Sequence, residues 1–404
     1  MLHYFFQDES FHDLKVTLKR GELNFEQLSA SPYFINVFLG FSSETYTYVK
    51  ESYLTWENDN KRFLGISNQI EFKGDSIKAK NFEFGIASMD LRYINFYNYL
   101  FNLLMEHDIH LQISTTNKLE FLLSNTFKQI FSRIRDSYGN DFLYKFKYSL
   151  IKIIDRHRTG KLIELFFVED VDSSAIVSEI DAILDKIIRE EGDLPHLSHE
   201  VKTAKFFKEI LGESSFVVTS YNSYNWDYNW SFDGLDNLLS ELRLLDKNIV
   251  LILDGKSSRT DGMYTVARER FCFSEIHREE SEHHVGIRIA DFLSNFIGRI
   301  IRNLDLDIST ASILNLTYID EKWFDVRKEG FECYKKIGGL LRKYQSVYWT
   351  TQVGIYFDTA ILFYKFIDYF CSFNNYEAYR SISNKEHTEK LNEIVLYAIS
   401  SRFN

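Results

Sequence analysis

The chain has 404 residues, 45% of them hydrophobic and 26% charged, a composition that excludes a disordered or fibrous protein and leaves room for two or three domains with real cores. With 2 Pro and 18 Gly beside 36 Phe, 25 Tyr and 5 Trp, it argues against flexibly tethered modules. A net charge of −11, from 47 Lys and Arg against 58 Asp and Glu, rules out a basic coat for nucleic acid but allows a local basic groove.

In chain order, Leu2 to Gln7 reads as a strand ending at Asp8, Glu9 and Ser10. Tyr33 to Phe41 and Thr45 to Val49 read as a second and third strand around a turn. Ile66 to Lys73 reads as a further strand closing on Gly74 and Asp75. Ser88 is the expected cap of a helix whose apolar residues Leu91, Ile94, Tyr97, Leu100, Phe101 and Leu104 follow the helical period. A strand from Ile109 to Ser114 follows. Strands, a helix and another apolar strand predict a mixed sheet covered by helices.

From Lys118 to Asp246 the pattern is mainly helical, with one expected strand at Phe216 to Thr219. Residues 128–161 hold nine Lys or Arg against three Asp, and residues 162–200 reverse the sign with eleven acids against Lys186 and Arg189. Either the two segments pair with each other, Arg133, Arg135, Lys145 and Lys152 meeting Glu164, Glu169, Asp170 or Asp172, or the basic one faces nucleic acid. The aromatic loop Tyr221 to Trp230 fits either a plug packed on the sheet or a platform for unpaired bases.

Asn248 to Asp254 is a continuous apolar run that ends in an acid, as expected of a strand buried on both faces. Arg270 to Ile276 reads as another strand, and Gly286 to Gly298 as a helix with Asp291 near its start. Residues 300–404 carry amphipathic helices for packing or for a partner. Within them Val353 to Phe373 is interrupted by Asp358, Lys365 and Asp368, so it reads as a buried helix and no membrane is expected. Cys272, Cys333 and Cys371 stand far apart without a metal-ligand spacing, and three buried free thiols are expected. The opening residues lack a signal-peptide pattern, so a cytoplasmic location is expected.

The acids carry the chemistry. Asp8 closes the first strand, Glu71 lies in the Glu71-Phe72-Lys73 segment, Asp254 closes a central strand and Asp291 enters a late helix. Singly, each is the residue type of a turn or cap. Together at one sheet edge they would repel unless a divalent cation neutralised them, and two Mg²⁺ or Mn²⁺ ions about 4 Å apart form the clamp used in phosphodiester cleavage. His283 and His284 are adjacent on the chain and point apart on a helix, which suits surface histidines better than a shared ion. The other use weighed for them is a single His as proton donor to the leaving oxygen.

These segments, with Glu280-Ser281 and Gly286-Ile287-Arg288-Ile289-Ala290-Asp291, resemble the uncharacterised family labelled domain of unknown function 3800. That family is regarded as RNase H-like, with a "DESG" first strand, an "E-L-K" strand and a closing "D-S…G-I-Q-L-A-D-L" helix. The resemblance covers residues 1–115 and 248–300. It implies metal ligands at Asp8, Glu71, Asp254 and Asp291, with Glu9 and Glu280 as supporting acids. Its association with mobile elements and phage defence implies a partner such as an ATPase or a toxin-neutralising subunit. The chain departs from the pattern at Phe11 in place of Gly, at Glu280 in place of Asp and at Arg288 in place of Gln. The strand from Ile109 runs into Thr115, Thr116 and Asn117 without an acid.

The reading is an RNase H-like α/β domain in two halves, residues 1–117 and 248–300, split by a mainly helical insert over 118–247 and followed by a helical region over 301–404. Its expected activity is metal-dependent cleavage of DNA or RNA. Asp8 bridges two ions, Asp254 and Asp291 complete their shells, Glu71 orients water, and Lys73 or Arg288 neutralises phosphate. One alternative is a PD-(D/E)xK nuclease around Glu71-Phe72-Lys73. Another is a catalytically silent protein that binds a partner, or a second copy, through its helices.

Overall fold

A computed structural model describes residues 1–27, 29–67, 71–192, 198–213, 218–255, 257–310 and 319–403. Six strands, β1 (His3–Ser10), β2 (Tyr33–Ser42), β3 (His110–Asn117), β4 (Ile249–Asp254), β5 (Glu275–Glu279) and β6 (Thr351–Val353), form one mixed sheet in the order β6-β3-β2-β1-β4-β5. β2 runs antiparallel to β1 and β3, whereas β1, β4 and β5 are mutually parallel and β6 is parallel to β3. The registers pair Phe5 with Gly40 on one side of β1 and with Leu251 on the other.

Around the sheet run α1 (Ser43–Leu64), α2 (Leu91–Glu106), α3 (Lys118–Thr126), α4 (Lys128–Tyr138), α5 (Asn140–His157), α6 (Gly160–Phe166), α7 (Ser173–Glu191), α8 (Ser198–Glu213), α9 (Asn229–Leu242), α10 (Ser258–Arg270), α11 (Val285–Thr310), α12 (Lys328–Arg342), α13 (Asp358–Cys371), α14 (Tyr376–Arg380) and α15 (Asn384–Ser400). Alternation along the strands supplies two apolar faces. Phe6, Val37, Leu39, Val250 and Ile252 meet α1, α2, α11, α12 and α13, while Phe5, Phe38, Ile249, Leu251 and Leu253 meet α9 and α10. Helices α3 to α8 share a third apolar cluster with Val16, Phe25, Phe34 and Tyr356. Residue 300 lies inside α11, and the helices that follow share the first cluster with the sheet.

Three local expectations change. Thr45 to Val49 opens α1 rather than forming a strand: Ser42 Oγ accepts from the Thr45 N–H at 3.1 Å, Val49, Tyr53 and Glu57 are buried on one face, and Gly65 at φ +76° ends the helix. Glu71-Phe72-Lys73 is irregular backbone, because Phe72 gives its N–H to Glu57 Oε1 at 2.9 Å and its C=O accepts from Tyr53 O–H at 3.4 Å. Residues 68–70 of that expected strand lie outside the described residues. Arg270 ends α10, and the strand expected there starts at Glu275.

Smaller differences follow the same logic. Ser88 Oγ accepts from the Phe84 N–H instead of capping α2, which Asp90 precedes. Of the strand expected at Phe216 to Thr219, residues 216 and 217 lie outside the described residues, and Val218 exchanges hydrogen bonds with the Ser173 side chain. Cys333 is buried and Cys371 half-buried, but Cys272 is exposed after α10, where Asp246 holds its N–H. No helix among the described residues is long and apolar enough to cross a membrane.

α11 packs tightly on the sheet. It buries Ile287, Ile289, Phe292, Leu293, Phe296, Ile297 and Ile300, each contributing about 1.5–3 kcal/mol. It approaches β1 through glycines: a Cβ on Gly286 would stand 2.2 Å from the Phe6 ring, and one on Gly298 2.9 Å from Ser10 Oγ. Gly286→Ala should therefore cost about 1–3 kcal/mol through overpacking, read as a lower urea midpoint with an unchanged m-value. An unchanged midpoint would show that the helix can lift from the strand without loss.

Candidate carboxylate site

The parallel pairing of β1 with β4 stops at Gln7 opposite Leu253, so Asp8 and Asp254 are the next residues on strands about 4.8 Å apart, each still paired on its other side, Asp8 with Val37 and Asp254 with Glu279. α11, seated on β1 by Gly286 and Gly298, brings Asp291 to the same edge. The three carboxylates line a cleft of about 380 Å³ together with Glu9, Ser10, Phe11, Lys73, Asp75, Ser281, Asn295 and Arg299.

Burial raises the pKa of all three carboxylates, and neighbouring acids add to the rise at Asp8 and Asp254. Burial, then the charges of Asp291, Asp254 and Glu9, push Asp8 well above the usual carboxylate range. Burial, then the charges of Glu9, Asp291 and Glu280, push Asp254 up to about 7. Burial pushes Asp291 up to about 6, against the opposing effect of the Gly74 N–H, which donates to its Oδ2 at 2.5 Å. Asn295 Nδ2 donates to Asp291 Oδ1, and the Glu9 N–H donates to Asp8 Oδ1 at 2.7 Å. The two supporting acids, Glu9 and Glu280, thus act on Asp254 by repulsion.

Glu71 sits beside the cleft, joined to two of its lining residues. Ser281 Oγ donates to both Glu71 oxygens at 3.1 and 3.2 Å, and Lys73 Nζ lies 3.0 Å from Oε1. That hydrogen bond raises the Lys73 pKa. Arg288 is placed elsewhere. It is buried, with Nη1 2.9 and 3.0 Å from the Glu57 oxygens and its guanidinium over the Tyr53 ring, so it does not line the cleft. Because Glu57 also holds the Phe72 N–H, the pair anchors the segment bearing Glu71, Lys73 and Gly74. The cleft's second cation is Arg299, held by Asp75 at 3.2 Å and by the Ile77 carbonyl. Asn295 and Arg299 follow Asp291 at i+4 and i+8, a helical spacing legible in the sequence. Glu57 leaves no such signal.

The donor set is carboxylate oxygen, chemically suited to a hard divalent cation. Among the described residues, however, no group of three or more His, Cys, Asp or Glu side chains is arranged to hold a metal ion. The oxygens of Asp291 and Oδ1 of Asp8 are instead turned to protein donors.

Phe11 follows β1 at φ +59°, the left-handed region, which costs a non-glycine residue about 1–2 kcal/mol. This is the position at which the resembling family carries Gly. His283 is exposed beside Glu282, and His284 is half-buried against Phe6, which together with nearby cationic groups lowers its pKa.

Part of the basic segment pairs with acids, and two of them, Glu179 and Glu200, belong to the acidic segment that follows it. Lys147 meets Glu120 at 3.1 Å, Lys161 meets Glu179 at 2.8 Å, Lys152 meets Asp358 at 3.7 Å, and Arg158 joins Asp155 and Glu26. The aromatic loop is largely a plug: Trp226 is buried against Phe34 and Phe121, and Tyr224 is buried beside Phe167, while Tyr221 stays exposed. Comparison of the chain with family models, curated proteins and solved structures finds no match.

Two measurements test this geometry. An acid whose pKa is raised on folding stabilises the fold below its unfolded value near 3.8 and loses that contribution as pH rises through its folded value. Without divalent cations the melting temperature of Asp254→Asn relative to wild type should therefore rise between pH 5 and pH 8, against the opposing contribution that histidines with lowered pKa values make equally in both proteins. A difference between variant and wild type that does not change over this range would refute the raised Asp254 pKa. Arg288→Met, which strands Glu57 in the core, should cost about 3–5 kcal/mol in urea unfolding, and adding Glu57→Gln should recover part of it.

Proposed function

We propose that the protein is a metal-dependent nuclease cleaving phosphodiester bonds of DNA or RNA on an RNase H-like sheet. The observation that carries this reading is the meeting of Asp8, Asp254 and Asp291 in one cleft, where burial raises all three and neighbouring acids raise Asp8 and Asp254 further. Support for the fold reading is a sheet in which β2 is reversed relative to the other five strands, with acids at the ends of adjacent parallel β1 and β4.

Asp8, Asp254 and Asp291, with Glu71 on the Ser281 and Lys73 side, are the residues that would hold Mg²⁺ or Mn²⁺. When bound, a pair of such ions supplies charge to the attacking and leaving oxygens of an in-line displacement. Lys73 and Arg299 bring positive charge to a phosphate in the cleft, the guanidinium by a bidentate match. Arg299 takes the role that the sequence suggests for Arg288. Glu71, held by Ser281 and Lys73, orients water at the rim and accepts its proton.

A second reading is a silent interaction protein that binds a partner subunit or another copy through its helical regions. It is favoured by the carboxylates being turned to protein donors and by α15, which leaves Ile394, Leu396 and Tyr397 40%, 46% and 76% exposed. The deciding experiment is Mg²⁺- or Mn²⁺-dependent cleavage of single- and double-stranded DNA and RNA by wild type and Asp8→Asn. The nuclease reading expects cleavage by wild type and a loss of more than about 100-fold in the variant, since residues one step behind a metal ligand already cost 10–100-fold. No metal-dependent cleavage by wild type on any substrate selects the interaction protein.

A further inference from the structure

Phe11 is the aromatic side chain of an otherwise polar and charged cleft. Its backbone is fixed from both sides. Ser10 before it ends β1, and His12 after it is buried, stacked on Tyr228 at 5.4 Å and edge-on to Phe34 and Trp226. Between these anchors Phe11 takes φ +59°, a conformation suited to glycine. Its ring has a prepared seat on α11, with Cε2 3.2 Å from the point a Gly298 Cβ would occupy, one helical position from the cleft residue Arg299.

Phe11 is only partly buried and lines the cleft. Glycine would relieve the backbone, and a ring retained despite that strain points to a use for its face. The neighbouring groups divide the possible contacts. Lys73 and Arg299 suit phosphate, the carboxylates repel it unless neutralised, and the aromatic face suits a flat, weakly polar ring. A base inside a duplex has both faces covered by its neighbours. A base of an unpaired strand has a face to give.

We propose that Phe11 is the stacking platform for the base next to the phosphate held in this cleft, and that the cleft takes single-stranded nucleic acid. The proposal rests on the nuclease reading for what the cleft binds, and it adds the strandedness of the substrate and the residue that sets it. The left-handed backbone and the Gly298 seat hold the ring before substrate arrives, so little freedom is lost on stacking.

The test is binding by the full chain, with Ca²⁺ present to neutralise the carboxylates and at one fixed salt concentration, of short single- and double-stranded DNA and RNA carrying 2-aminopurine, whose fluorescence is quenched by stacking. Wild type is compared with Phe11→Gly, Phe11→Leu and Phe11→Tyr. Glycine fits the backbone, so its variant should melt at or above wild type, which separates lost binding from lost fold. Wild type should bind single strands about tenfold or more tighter than duplex. The Gly and Leu variants should lose about tenfold on single strands and little on duplex, together with the quench, and Tyr should keep both.

Single-strand binding by Phe11→Gly equal to wild type, or equal binding of single strands and duplex by wild type, overturns the proposal. If wild type also cleaves with Mg²⁺ or Mn²⁺, the nuclease reading survives that loss. Binding that depends on Phe11 with no metal-dependent cleavage keeps the platform and removes the nuclease. Wild type that binds none of the four substrates overturns both. A preference between the DNA and RNA single strands identifies which of them the platform serves.

Discussion

The seat of α11 on β1 is the constraint from which the rest follows. Two glycines let the helix lie against the strand at distances that a single methyl group would block, and the apolar stripe from Ile287 to Leu304 holds it there. The other stripe, Arg288, Asp291, Asn295 and Arg299, is thereby delivered to fixed partners. Arg288 reaches Glu57 of α1, Asp291 reaches the Gly74 N–H, and Arg299 reaches Asp75 and Ile77. One helix thus joins the core, the irregular segment around Glu71 and the edge where β1 and β4 end.

The cleft so formed carries an electrostatic conflict. Three acids are packed at one edge with burial against their ionisation, neighbouring acids add to it at Asp8 and Asp254, and Lys73 offsets it only in part at Asp254 and Asp291. A structural role alone is a poor reason to keep such an arrangement, because amides at the same positions would satisfy the hydrogen bonds without the repulsion. Sites where neighbouring groups push pKa values away from their usual range are characteristic of chemistry. The buried Arg288–Glu57 pair differs in kind: its charges are matched, and its work is to hold the backbone of Phe72.

Part of the helical insert's charge serves assembly. Lys147, Lys161 and Lys152 are tied to acids of α3, α7 and α13, and Glu120 also accepts from the N–H groups of Ile355 and Tyr356. Charge that looks like a basic face along the chain therefore fastens the insert to the C-terminal region.

The sequence by itself determined the strands β1, β2 and β4, the helix bearing Asp291 and the acids at the strand ends. Each of these rests on a local period or on a boundary between apolar and polar residues. Tertiary structure decided what depends on distant partners. Arg288 meets a residue 231 positions away, and α1 replaces an expected strand because its buried face, not its β-branched composition, prevails. Phe72 leaves the ladder because Glu57 and Tyr53 satisfy its backbone. Phe11 takes a glycine conformation because β1 and buried His12 fix the chain on both sides of it. Short-range pattern records which face of an element is apolar, but the partner of a buried charge is chosen only when the elements pack.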